Sequence, residues 1–194
     1  MFANLSFSQD TTFLKVHFLY GSKPAKEYRK SEKKWFGGIM GGHVGIEADT
    51  GKVVSFMHNG KFHVFERKNN RHSRYQVDSP DKFYSILGSP ADSVKKATVY
   101  IPVILHQKEK FDSITGSYLE QTPYDYAFFG MRCSAAASEI LGQLNILPQY
   151  GHARTYRKTF YPKKLRKRLL LLASENNWNV DREKGTARRK WERD

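Results

Sequence analysis

The 194-residue chain has a single cysteine, Cys133, which excludes an intramolecular disulfide and any cysteine-rich zinc site. The thiol is therefore either a small core residue or a reactive group. No run approaches the roughly 18 apolar residues of a membrane span, so the sequence reads as soluble or peripheral. Acidic residues are few, 19 against 33 Lys and Arg, and the imbalance is uneven. The stretch from Arg154 to Asp194 has 14 Lys/Arg and 5 Asp/Glu, so 9 of the 14 net positive charges fall there. An acidic partner would meet this C-terminal segment. A zinc-finger spacing and an aromatic RNA-binding signature are both missing, so the charge carries no specific nucleic-acid motif. Internal repeats and low-complexity tracts are missing too. The opening "MFANLSFSQD" lacks the basic n-region and apolar core of a complete signal peptide. "ANLSFSQ" also fits the trimmed end of one, which leaves cytoplasm and cell envelope both open.

The chain length suits one domain with a core that needs no disulfides or metal. Its pattern is α+β. "FLKVHFLYG" (13–21) reads as a strand, "SKPAKEYRKSEKKW" as a charged connection and "FGGIMGG" as a flexible approach to His43. "HVGIEA", "KVVSFMH" and "KFHVFER" read as an antiparallel meander with turns at "DTG" and "NG". "NNRHSRYQ" reads as a polar connection. "SPDKFYSILG" predicts a short helix capped by Ser79, with Pro80 at its first position and Gly88 at its end. A strand over 96–103 precedes a helix with apolar positions 104, 105, 111, 114 and 118. "TPYDYAFFGMR" is a loop, and "CSAAASEILGQLNIL" a helix with positions 133, 136, 137, 140, 141 and 144 on one face. "YPKKLRKRLLLLASENNW" is a basic amphipathic helix, and the polar tail after it has Trp178 and Trp191 as packing anchors.

A helix start suits a reactive thiol. Unpaired N–H groups and the positive end of the dipole stabilise a thiolate, and the same N–H groups can receive an oxyanion. The small residues Ser134 to Ser138 let the helix lie close to a sheet. Among the seven histidines, His43 begins a strand after two glycines that open backbone access, and Gly45 leaves space beside it. Alternation puts His43, Gly45 and Glu47 on one face and Val44, Ile46 and Ala48 on the other. A two-residue turn at Thr50–Gly51 sets His43 opposite His58, which would hold its tautomer. A three-residue turn, Asp49–Gly51, makes Ser55 the polar neighbour. His58 is the preferred third residue and Ser55 the alternative. His43, His58 and His63 lack any HExxH or cysteine cluster beside them, so no metal or cofactor is expected.

With "GHVGIE", "TPYDYAFF" and "RCSAAASEIL" in this order, the chain resembles the NlpC/P60 superfamily of papain-like cysteine hydrolases. The resemblance is to its circularly permuted branch, which includes the YiiX/YaeF-like proteins and lecithin retinol acyltransferase, and it covers roughly residues 35–147. It implies a permuted papain-like fold with an antiparallel sheet packed on helices, the cysteine helix among them. Residues 1–160 would form the catalytic domain, and the basic helix and tail of 161–194 would pack on it. Cys133 would be the nucleophile and His43 its base, with Tyr124, Tyr126 and Ser134 around substrate and oxyanion. Many relatives have an acidic residue two positions after the cysteine, where this chain has Ala135. The implied substrates are peptides, peptidoglycan fragments or acyl lipids. A non-catalytic alternative uses Lys163, Lys164, Arg166, Lys167 and Arg168 on an anionic surface.

Overall fold

The computed structural model describes residues 12–33, 41–48, 51–68 and 72–194. The "MFANLSFSQD" opening, most of "FGGIMGG", the first two residues of the "DTG" turn and the start of "NNRHSRYQ" lie outside the described residues. Alternation in the first strand, β1 (Thr12–Tyr20), explains the layering. Leu14, Val16, Phe18 and Tyr20 are buried on one side, while Lys15, His17 and Leu19 point to the other. On either side of it lie β3 (Gly42–Ala48) and β7 (Lys96–Val103), both antiparallel to it. The six-stranded sheet runs β6-β4-β3-β1-β7-β9, with β4 at Val53–His58, β6 at Ser73–Asp78 and β9 at Val180–Glu183. Every pairing in it is antiparallel.

Three helices cover the face of Leu14, Val16 and Phe18: α2 (Leu105–Glu120), α3 (Cys133–Gln143) and α5 (Pro162–Glu175). In α3 the residues from Cys133 to Ser138 are all buried, so the small side chains bring the helix backbone against β3 and β4. In α2 only Phe111 and Thr115 are buried, and the expected apolar positions Ile104 and Leu105 are exposed. The opposite face is covered by α1 (Pro80–Tyr84), through a small core of Leu19, Val53, Phe83, Tyr84 and Val94. Ser79 Oγ accepts the N–H of Lys82, and Pro80 starts the helix. The helix ends at Tyr84, and Gly88 follows with φ +84°.

The third strand of the meander differs from the sequence reading. "KFHVFER" forms only β5 (His63–Phe65), which leaves the sheet and pairs in parallel with β8 (Ala127–Phe129). The strand beside β4 is β6, in the stretch read as a polar connection. The cause is Asp125. This buried carboxylate accepts from His63 Nδ1 at 2.6 Å, from Arg67 N–H at 3.1 Å and from His72 N–H at 2.9 Å. A buried charge needs such donors, and collecting them ties β5 and the connection after it to the segment before β8.

The helix α4 (His152–Lys158) precedes α5, and β10 (Arg189–Trp191) pairs with β2 (Ser22–Pro24). The tail is thus structured, with β9 as an edge strand of the main sheet. Of the five cations assigned to an anionic surface, Arg166 is misplaced. It is fully buried, bound to Glu192 at 2.7 Å and to Asp194 at 2.8 Å, because it falls on the inward stripe with Pro162, Leu165, Leu169 and Ala173.

Candidate functional site

Cys133 is the first residue of α3, after Arg132 in extended conformation. Three donors lie near its sulfur: the N–H of Val44, the N–H of Ser134 and the hydroxyl of Tyr126. Burial pushes the thiol pKa up, and it outweighs the Arg132 charge and these three donors, all of which favour the thiolate. The resting group is a protonated thiol. The cavity beside it has about 10 Å³ and is lined by apolar side chains such as Val44, Ile46, Phe56 and Ile140. That is room for one water at most.

The Val44 contact follows from the register. β3 and β4 pair from Gly45↔Ser55 to Glu47↔Val53, so Val44 lies beyond the end of that ladder, near the sulfur. The same register corrects the preferred third residue. Pairing of Glu47 with Val53 corresponds to the three-residue turn, and Gly51 at φ +63° supplies the left-handed residue with which such turns close. Ser55 therefore shares the face of His43, diagonal to it, and His58 points to the other face. There its ring lies 5.8 Å from that of Tyr126.

His43 packs on Phe83, with ring centroids 5.3 Å apart, on the α1 side of the sheet. Its Nε2 and the Ser55 Oγ are both buried without a hydrogen-bond partner. Burial lowers its pKa to about 4, opposed by the charge of Asp78, so the ring is neutral at neutral pH. The glycines around it have another role than access. A Cβ on Gly42 would stand 2.3 Å from the Leu19 carbonyl oxygen, and one on Gly45 2.5 Å from Val53 and 2.8 Å from Phe83. The space read beside His43 is filled by Phe83. Of the tyrosines assigned to the site, only Tyr126 meets the sulfur; Tyr124 is a core anchor, its hydroxyl bonded to Tyr75 and its ring edge-on to Phe56. Ser134 contributes its N–H, while its hydroxyl donates to the Tyr161 carbonyl.

Sequence reasoning missed a buried polar network on the His43 face. His17 Nε2 lies 3.0 Å from Glu47, its Nδ1 2.9 Å from the Tyr84 hydroxyl, and Lys15 donates to Glu47 at 2.7 Å. The signal was present as Lys15, His17 and Glu47 at every second position of facing strands. The hydrogen bond from His17 holds the Glu47 pKa down near 2, against burial and with help from Lys15. Among the described residues no group of three or more His, Cys, Asp or Glu is arranged to hold a metal ion.

These two shifts set an acid limit to stability. Both folded-state values lie below the unfolded ones, so each contribution is complete above the unfolded pKa and is lost as pH falls to the folded one. The windows run from 6.5 to about 4 for His43 and from 4.5 to about 2 for Glu47. Each shift corresponds to about 3 kcal/mol. Urea midpoints measured across this range are expected to start falling below pH 6.5. His43→Gln should flatten the upper part of the decline and Glu47→Gln the lower part; two variants that decline as the wild type does would refute the assignment.

Compared with known proteins, the chain matches no family model, no curated protein and no solved structure.

Proposed function

We propose that this chain is a thiol hydrolase of the permuted, papain-like NlpC/P60 type, with Cys133 as nucleophile and His43 as general base. One observation carries the pairing: the N–H of Val44, the residue after His43, lies near the Cys133 sulfur and favours its thiolate. The His43 ring packs on Phe83 on the α1 face while Cys133 belongs to the core on the other face, so the pair forms only when the His43 side chain swings round the open end of the β3–β4 ladder. Its Nε2 has no competing hydrogen bond to break before it turns to the thiol.

In the reaction, the sulfur attacks an amide or ester carbonyl while His43 takes the thiol proton. The oxyanion that forms is met by donors already gathered at the sulfur, the Val44 and Ser134 N–H groups and the Tyr126 hydroxyl. His43 then protonates the leaving amine or alcohol, and water resolves the thioester with His43 again as base. The small cavity at the thiol does not hold a substrate, so the side chains that wall it, Val44, Phe56 and Ile140 among them, give way on binding. Alkylation by iodoacetamide near neutral pH tests the pair. Labelling of Cys133 is expected to be slow, as for a buried thiol, and several-fold slower still in His43→Ala. Equal rates in the two proteins would count against the pairing.

A further inference from the structure

Four of the exposed large apolar side chains converge on the β5–β8 pair: Val64 is 56% exposed, Phe65 68%, Phe128 37% and Phe129 49%. Leaving so many adjacent apolar groups in water is unfavourable and marks an interaction surface. Register sets Phe65 beside Phe129, and their rings stack at 5.5 Å. Phe65, Phe129, Tyr156 and Phe160 wall an open cavity of about 500 Å³, with Arg157 and Lys164 in its lining. These two cations belong to a longer run. Residues 140–174 contain eight Lys/Arg and no Asp or Glu, and of the eight only Arg166 is consumed by a buried ion pair.

Charge complementarity therefore calls for an anionic partner, and the apolar tip calls for one with an apolar interior. A lipid bilayer with anionic headgroups has both. Stacked bases suit the surface less well, since Phe129 is already engaged by Phe65, Phe128 and Phe160, and Val64 offers no ring. Among the described residues no helix is long and apolar enough to cross a membrane.

We propose that this face docks on anionic membranes, with Val64, Phe65 and Phe129 entering the interface while Arg157 and Lys164 meet lipid phosphates. The thiol is not required. Arg132, next to Cys133, does stack on Phe128, Phe160 and Tyr161 at 5.5, 4.5 and 5.3 Å, so the docking face adjoins the start of α3.

Sedimentation of the full chain with vesicles tests this, using phosphatidylcholine alone and phosphatidylcholine mixed with phosphatidylserine, at low and high salt. Pelleting is expected with the phosphatidylserine vesicles at low salt, and it should fall at high salt. The double variant Phe65→Ser/Phe129→Ser should bind at least about tenfold more weakly, and Lys164→Ser about fivefold. Both sites are exposed, and circular dichroism confirms the fold of each variant. Cys133→Ala should bind as the wild type, which separates this inference from the hydrolase reading. Equal pelleting with both vesicle types, full binding by the double variant, or binding to single-stranded DNA but not to vesicles would overturn it.

Discussion

Turnover of a susceptible ester or amide is expected to vanish in Cys133→Ala and to fall by about 10²–10⁴ in His43→Ala. Removing one donor to the oxyanion, as in Tyr126→Phe, should cost up to about 10²–10³. The measurement is kcat/KM over a panel of acyl esters, dipeptides and peptidoglycan fragments, with each variant's fold confirmed by circular dichroism. Its pH dependence follows from the two groups. His43 has its pKa lowered to about 4, while the thiol is raised above its ordinary 9.0, so both are neutral over a wide range between. Rate should therefore rise with the ionisation of His43 near pH 4 and hold a plateau through neutrality, as for general-base attack by a thiol. A resting thiolate–imidazolium pair would need the reverse order of pKa values. Activity that survives Cys133→Ala would end the proposal outright.

Local patterns made much of this architecture legible. The alternation in "FLKVHFLYG" gives the central strand, Ser79 and Pro80 give the start of α1, and the small residues after Cys133 give a helix buried against the sheet. What failed depended on partners distant in sequence. "KFHVFER" has the composition of a meander strand, yet Asp125, some 60 residues on, draws His63 away. The turn between β3 and β4 admitted two lengths, and a one-residue change of length exchanges Ser55 for His58 beside His43. At the thiol, Cys133 at a helix start could be read directly, but the Val44 N–H could not. The place of Val44 near the sulfur, past the last β3–β4 pair, is a property of the pair of strands and not of either alone.

Arg166→Ala is expected to destabilise the fold by about 3–5 kcal/mol, the usual cost of breaking a buried ion pair from one side. The guanidinium is fully buried, lies 3.6 Å from the Tyr20 ring centroid, and binds Glu192 and Asp194. Tyr20 in turn donates to Asp194 at 2.8 Å. Without Arg166, the Glu192 carboxylate would stay in the interior, 2% exposed, with its charge unmatched. Sequence placed Arg166 with its basic neighbours because composition was read ahead of phase. Its spacing from Pro162 and Leu169 puts it on the buried stripe, whereas Lys167 is exposed on the same helix. Urea denaturation should therefore separate the two, with Lys167→Ala within about 0.5 kcal/mol of wild type. Adding Glu192→Gln to Arg166→Ala should restore part of the loss, since an amide costs less to bury unpaired than a carboxylate. Equal effects of Arg166→Ala and Lys167→Ala would mean that Glu192 and Asp194 do not hold the segment after β10 against α5, and that Arg166 belongs with the solvated cations after all.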